Sequence, residues 1–258
     1  MTILRNKKTR ALITIMIALV ITGILIAKIY YRSENRSVDP RVIPARELYS
    51  GYDEYAREGD YHKIFALLDS VQDVYDTYPH YRQSYEVGVI YNNRAAALIT
   101  IALFGDSIEA DHNPWYGEST DSLLTLAEKN IDKAISAYDC WLEDYVGLDK
   151  EEIKAVIKPG FSDGLNVDKP DLVDRYLEKR AEEIIMSVKE TERRLSVCYT
   201  NLGVIKRQRK EYEEAVRCYE KAMSLWDRNL SAENNLNALL GRPLKKRNII
   251  QKLFPPER

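Results

Sequence analysis

Glycine and proline are scarce, at 11 and 9 residues in 258. That shortage argues against a turn-rich β protein, whose hairpins need both. Cysteine is scarcer still. Cys140, Cys198 and Cys218 are the whole set, with no close spacing. They exclude a disulfide scaffold and a zinc knuckle. The three histidines, His62, His80 and His112, are scattered rather than paired at metal-ligand spacing. The sequence has no glycine-rich phosphate loop, no GxSxG elbow and no HExxH run. The expectation is a protein that is not an enzyme, with no catalytic residues, metal ligands or cofactor.

What is present points to a folded chain. Apolar residues make up 45% and charged ones 30%, enough to build a core. The net charge of −2 hides a division into three. Residues 1–32 carry 6 Lys/Arg and no acid, and residues 242–258 carry 6 Lys/Arg and Glu257. Between 33 and 241 lie 26 Lys/Arg and 39 Asp/Glu, a balance of −13. An acidic body repels phosphates, so no nucleic-acid partner is expected.

Residues 11–27 run 17 positions without a charge, and Ile29, Tyr30 and Tyr31 prolong the apolar stretch past Lys28. A helix rises ~1.5 Å per residue, so ~20 residues cross a bilayer. The stem of Lys28 reaches the interface, and the two tyrosines sit at the level of an aromatic belt. The segment 11–31 reads as one transmembrane helix that engages the lipid bilayer. It is too long for a cleaved signal and is followed by no small-x-small site. Arg5, Lys7, Lys8 and Arg10 make 1–10 a basic cytoplasmic terminus, with the C-terminal domain outside the cytoplasm. Residues 32–44, polar with Pro40 and Pro44, read as a linker.

From 45 onward helical periodicity dominates. The unit 196–229 places Tyr199, Leu202, Gly203, Tyr212, Ala215, Tyr219 and Ala222 at intervals that let two helices pack closely. Small Gly203 and Ala215 permit approach, and Tyr199 and Tyr219 fill the space between. These positions resemble the marker residues of the tetratricopeptide repeat (TPR) family, a 34-residue helical hairpin. Two positions depart from that pattern: Lys206 stands at an aromatic marker and Asp227 at the terminal proline. Leu236, Leu239 and Leu240 then mark a covering helix that ends at Gly241 and Pro243. Residues 242–258 form a basic tail, in which Lys245, Lys246 and Arg247 precede Ile249, Ile250, Leu253 and Phe254. That tail resembles a short basic amphipathic helix able to touch anionic lipid or a partner.

Two further units are weaker. In 45–79, Gly59–Asp60–Tyr61 reads as the turn between helices, with Leu48 and Tyr55 before it and Ile64, Leu68 and Val71 after it at core markers. In the other unit, Gly88, Val89, Ile90 and Arg94 echo Gly203, Val204, Ile205 and Arg209. Its partner helix carries Ala134, Tyr138 and Trp141. Gly105 ends the first helix, 106–119 is a loop, and Thr120 is the expected cap of the second. A second loop is expected at 147–169, after which Pro170 opens a long helix whose stripe includes Leu177, Ala181 and Ile184. The expectation is an all-α, TPR-like antiparallel helical-hairpin array over 45–241, with about seven helices beyond one N-terminal transmembrane helix.

The resemblance implies protein binding, through a groove lined by the first helix of each hairpin. The groove positions map onto Tyr85, Val89, Asn92 and Asn93 in the split unit. In the clear repeat they map onto Val197, Thr200, Asn201, Val204, Arg207 and Gln208. Few of these are charged, so the Lys/Arg-rich clamp that some members use for a terminal carboxylate is not expected. The implied role is a membrane scaffold or accessory subunit of an envelope complex, like bitopic TPR proteins of bacterial inner membranes. One alternative is a ligand-binding or enzymatic domain using loops 106–118 (Asp106, Glu109, Asp111, His112, Trp115) and 147–169. Another is a cytosol-facing tethering or import receptor. Asn35 and Asn229 stand in glycosylation-type triplets.

Overall fold

The computed structural model describes residues 15–16, 19–24, 37–166 and 169–246. Between Asp39 and Lys246 the described residues form nine α-helices and no strand. We number them α1 (Ile43–Tyr49), α2 (Tyr52–Glu58), α3 (Tyr61–Thr77), α4 (Tyr85–Phe104), α5 (Thr120–Tyr145), α6 (Lys150–Ile157), α7 (Pro170–Gln208), α8 (Tyr212–Leu225) and α9 (Leu230–Leu239). The fold is all-α.

The helix α7 is the spine. Its 39 residues span ~58 Å, opened by Pro170 at the first helical position, where a missing N–H costs nothing. Along it sit three apolar clusters. The first holds Ile153, Ile157 and Phe161 against Leu177, Ala181 and Ile184. The middle cluster joins α4 and α5 to Leu195, Cys198 and Ile205. The last holds Ala215 and Tyr219 against Leu236 of α9. A fourth cluster joins α1, α3 and the start of α4, with Ile64, Leu68 and Val71 buried at its centre. Each such aliphatic side chain contributes about 1.5–3 kcal/mol when fully buried.

Two helical hairpins share one packing device. In α4 and α5, Gly88 lies under the ring of Tyr138, so close that a Cβ at 88 would stand 2.6 Å from Tyr138 Cε1. In α7 and α8, a Cβ at Gly203 would stand 2.5 Å from Tyr219 Cε1. Tyr138 and Tyr219 are both fully buried, as are Ala134 and Ala215, four residues before each ring. The two phenol hydroxyls are buried with no hydrogen-bond partner among the described residues. A buried hydroxyl left unpaired is costly. Tyr138→Phe and Tyr219→Phe are therefore expected to be neutral or to stabilise by about 1 kcal/mol, read from urea unfolding midpoints.

Capping sets the ends. Asp60 accepts from the Lys63 N–H, and Gly59 takes the left-handed conformation before it, so the turn expected at 59–61 is present. Asn229 caps α9 through the Ala232 N–H. Lys206, at the missing aromatic marker, instead bridges Glu128 (2.9 Å), Glu211 (3.0 Å) and Glu214 (3.4 Å), tying α7 to α5 and α8.

Several expectations need correction. The segment 32–44 is not all linker. Asp39, Arg41 and Val42 are buried, at 4%, 5% and 0% exposure. The Asp39 carboxylate accepts from Arg41 Nε (3.0 Å) and the Tyr81 hydroxyl (2.8 Å), while Arg41 donates to the Asp163 carbonyl (2.7 Å). These residues looked like linker because they are polar, and they are buried because each satisfies the other. The loop expected at 147–169 contains α6, nucleated by a capping box between Asp149 and Glu152. The cap of α5 is Ser119, accepting from the Ser122 N–H, and Thr120 is the first helical residue. The first helix of the 45–79 unit is broken at Ser50–Gly51, and Leu48 is 43% exposed rather than core. The helices beyond 31 number nine among the described residues, because of that break and α6.

Of the segment 11–31, the described residues 15–16 and 19–24 are helical, and their large apolar side chains are exposed. The rest of it lies outside the described residues, as do residues 247–258 of the tail. Arg242–Lys246 turn back along α9, where Lys245 N–H donates to Asn234 Oδ1 (2.8 Å). Among the described residues one helix, from Tyr85 to Ser107, is long and apolar enough to cross a membrane. It is apolar on all sides because α3, α5 and α7 pack around it.

Candidate functional site

A groove of about 450 Å³ opens between α1, α3, α4 and α7. Tyr49, Tyr75 and Tyr85 form its aromatic wall, and Val71, Val89 and Ile90 its floor. The facing wall is one side of α7: Glu183, Ser187, Glu190 and Arg194 follow one another at intervals of three or four, with Met186 beside Ser187, so one face presents them. Met186 is 68% exposed, an apolar and adaptable side chain held at the rim.

The charges around the groove are fixed by their neighbours. Arg180 lies beneath it, 5% exposed, donating to Glu86 at 2.6 and 3.2 Å. Its guanidinium also stacks on Tyr81 at 4.6 Å and Trp141 at 5.6 Å. Burial alone would raise the Glu86 carboxyl, but Arg180 outweighs it and holds the group down at about 2. Arg46 reaches Glu183 at 2.7 Å across the groove mouth. Burial pushes the phenols of Tyr49, Tyr75 and Tyr85 up, so all three stay neutral hydroxyls.

The ten residues expected to line a groove are not brought together. Tyr85 and Val89 line this one, and Asn93 stands at its edge, donating to the Tyr49 hydroxyl at 2.6 Å. Asn92 is buried between α4 and α7, accepting from Asn201 (3.1 Å) and the Cys198 thiol (3.4 Å). Thr200 is buried and accepts from Asn229 at 2.9 Å. Val204 packs against the α8–α9 cluster, Val197 is half-buried and Gln208 is exposed. Arg207 belongs to a second, more open concavity of about 660 Å³, shared with Tyr212 and Val216 of α8 and with Ala238 and Leu239 of α9.

The sequence reading missed Tyr49, Tyr75, Met186, Glu190 and Arg194. The 183–194 face carried one available signal: polar and flexible residues recur at helical spacing beside the apolar stripe of α7.

The two loops lie against different elements. Trp115 of 106–118 packs edge-on to Phe65 of α3, with ring centroids 6.1 Å apart. Phe161 of 147–169 sits near His80, at 6.0 Å. No cluster of three or more potential metal ligands occurs among the described residues. Asn229 is 3% exposed with its amide bonded to Ser196 and Thr200, so a glycan does not fit there in the folded state.

All three cysteines are free: Cys140 is exposed, Cys218 half-buried, and Cys198 buried with its thiol pushed up to about 12 by desolvation. Brief maleimide treatment of the native chain is expected to modify Cys140 first. Cys198 is expected to react only after denaturant is added, as read by intact and peptide mass.

Comparisons with protein-family models, curated proteins and solved structures find no match to this chain.

Proposed function

We propose that the chain is a membrane-anchored protein-interaction module of TPR type, acting as a scaffold or accessory subunit of an envelope complex. The observation that carries this reading is the groove between α1, α3, α4 and α7. It is open, walled by tyrosines and floored by aliphatics, the make-up of surfaces that take a peptide or helix from another protein. The shared glycine-under-tyrosine packing at Gly88–Tyr138 and Gly203–Tyr219 supports two related hairpins in one array. The apolar run 11–31 and its basic flank support a bitopic protein of a bacterial inner membrane, with the helical domain outside the cytoplasm.

The test is affinity purification of the tagged full chain from detergent-solubilised native membranes. A stoichiometric partner is expected with the wild type and is expected to be lost with Val89→Arg, which fills the groove floor with charge. Recovery of the wild type as a lone monomer in repeated preparations would sink the proposal. Protease added to sealed spheroplasts is expected to digest the domain, and protection would reverse the orientation.

A further inference from the structure

The charged side chains lining the groove are not equivalent. Glu86 is paired with Arg180. Glu183 is paired with Arg46 and, more distantly, with Arg180. Glu190 accepts from Arg193 at 3.0 Å. Every carboxylate at the groove therefore has its own cation. Arg194 does not have an anion: among the described residues it makes one hydrogen bond, from Nε to the Tyr85 hydroxyl at 3.1 Å, and no ion pair. Its two terminal amino groups have no protein acceptor among the described residues, and the side chain lines the same concavity as Val89 and Ile90.

A guanidinium held at its Nε edge by a tyrosine hydroxyl, with its fork unused, is built for a planar anion. The neighbouring carboxylates are already neutralised, so the unbalanced charge in the groove is a single positive one. We infer that Arg194 anchors the side-chain carboxylate of an acidic and apolar peptide segment from a partner protein, with the tyrosine wall and Met186 taking its apolar residues. This deepens the interaction-module reading and rests on it. Tyr85 is a positioning residue here: its hydroxyl accepts from Nε and leaves both terminal amino groups unused by the protein.

The probe is a library of 12-residue peptides fused through their C-termini to a phage coat protein, selected on the full chain in nanodiscs. That fusion leaves no free terminal carboxylate, so any acid selected is a side chain. The enriched peptides are expected to carry Asp or Glu beside bulky apolar residues. As amidated synthetic peptides they are expected to bind Arg194→Gln about tenfold more weakly than wild type, with Arg194→Lys recovering part of the loss. Changing the selected acid to its amide should weaken wild-type binding equally and leave Arg194→Gln unaffected, the mark of a direct pair. That swap reads out on wild-type protein even where the Arg194→Gln variant unfolds. Basic or uncharged winners overturn the inference. Peptides lost on Val89→Arg but indifferent to Arg194→Gln overturn the Arg194 assignment and leave the groove standing. No selected peptide, or peptides indifferent to both variants, overturn the inference and the groove together, as does a groove found filled by a second copy of the chain.

Discussion

Arg180→Ala is expected to lower the free energy of unfolding by about 3–5 kcal/mol. The loss has two sources. The guanidinium stem and fork are packed between Tyr81 and Trp141, so truncation leaves a hole among rings. It also strips Glu86 of the charge that offsets its desolvation. The pH profile separates the two. In the folded chain the Glu86 carboxyl is held at about 2, below the 4.5 of the unfolded chain. Its contribution is therefore complete above pH 4.5 and is lost as pH falls from there toward 2. A full shift of that size amounts to about 3 kcal/mol, and because 24% of the side chain still reaches solvent we expect about 2 kcal/mol. Urea unfolding at pH 7 and pH 3 should show the Arg180→Ala deficit shrinking in acid, because the variant has no pair left to lose. A deficit independent of pH would mean that packing alone is at stake. Arg180→Leu combined with Glu86→Leu is expected to recover most of the stability, since no charge is then buried alone.

Gly203→Ala is expected to cost about 2 kcal/mol, and Gly88→Ala the same, measured by urea unfolding. Alanine favours a helix over glycine by about 1 kcal/mol, so on propensity alone both changes should stabilise. Sterics reverse the sign. The new methyl would stand 2.5 Å from Tyr219 or 2.6 Å from Tyr138, and neither ring has room to retreat, because both are fully buried. Removing the ring instead is expected to cost more: Tyr219→Ala and Tyr138→Ala should each lose about 3–5 kcal/mol through the cavity left behind. Gly203→Ala made together with Tyr219→Leu should be milder than the sum of the two, since the smaller side chain vacates the contested space. A stabilising Gly203→Ala would refute the close approach.

Much of the fold was legible in the chain because it depended on neighbours along the sequence. The scarcity of glycine and proline gave the all-α class. The turn at Gly59–Asp60–Tyr61 and the stripe of α7 were readable, because turns and stripes are local patterns. The echo between Gly88 and Gly203 was readable too, as were Tyr138 and Tyr219 at the markers of the partner helices, whereas the contact of each ring with its glycine came from the structure. The break at Ser50–Gly51 and the helix α6 were less legible, since short helices rest on a cap and a tertiary contact more than on periodicity.

The candidate site was barely legible. Tyr85 and Val89 were found because they share the first helix of a hairpin, but Asn92, Asn201 and Thr200 turned out to be internal cross-links between helices. Asp39 and Arg41 looked like solvated linker and are interior, because a buried ion pair has the composition of a loop. Sequence alone therefore determined helix content, the close-packed hairpins and the division of charge into basic ends and an acidic body. Only the tertiary structure decided which helix faces α1, α3, α4 and α7 leave open to form a groove. Only it decided which arginines are neutralised there and that Arg194 is not. Helical periodicity is set within a few residues of chain, whereas a groove and its charge balance arise between residues as far apart as Arg46, Glu86 and Arg194, which nothing short of packing brings together.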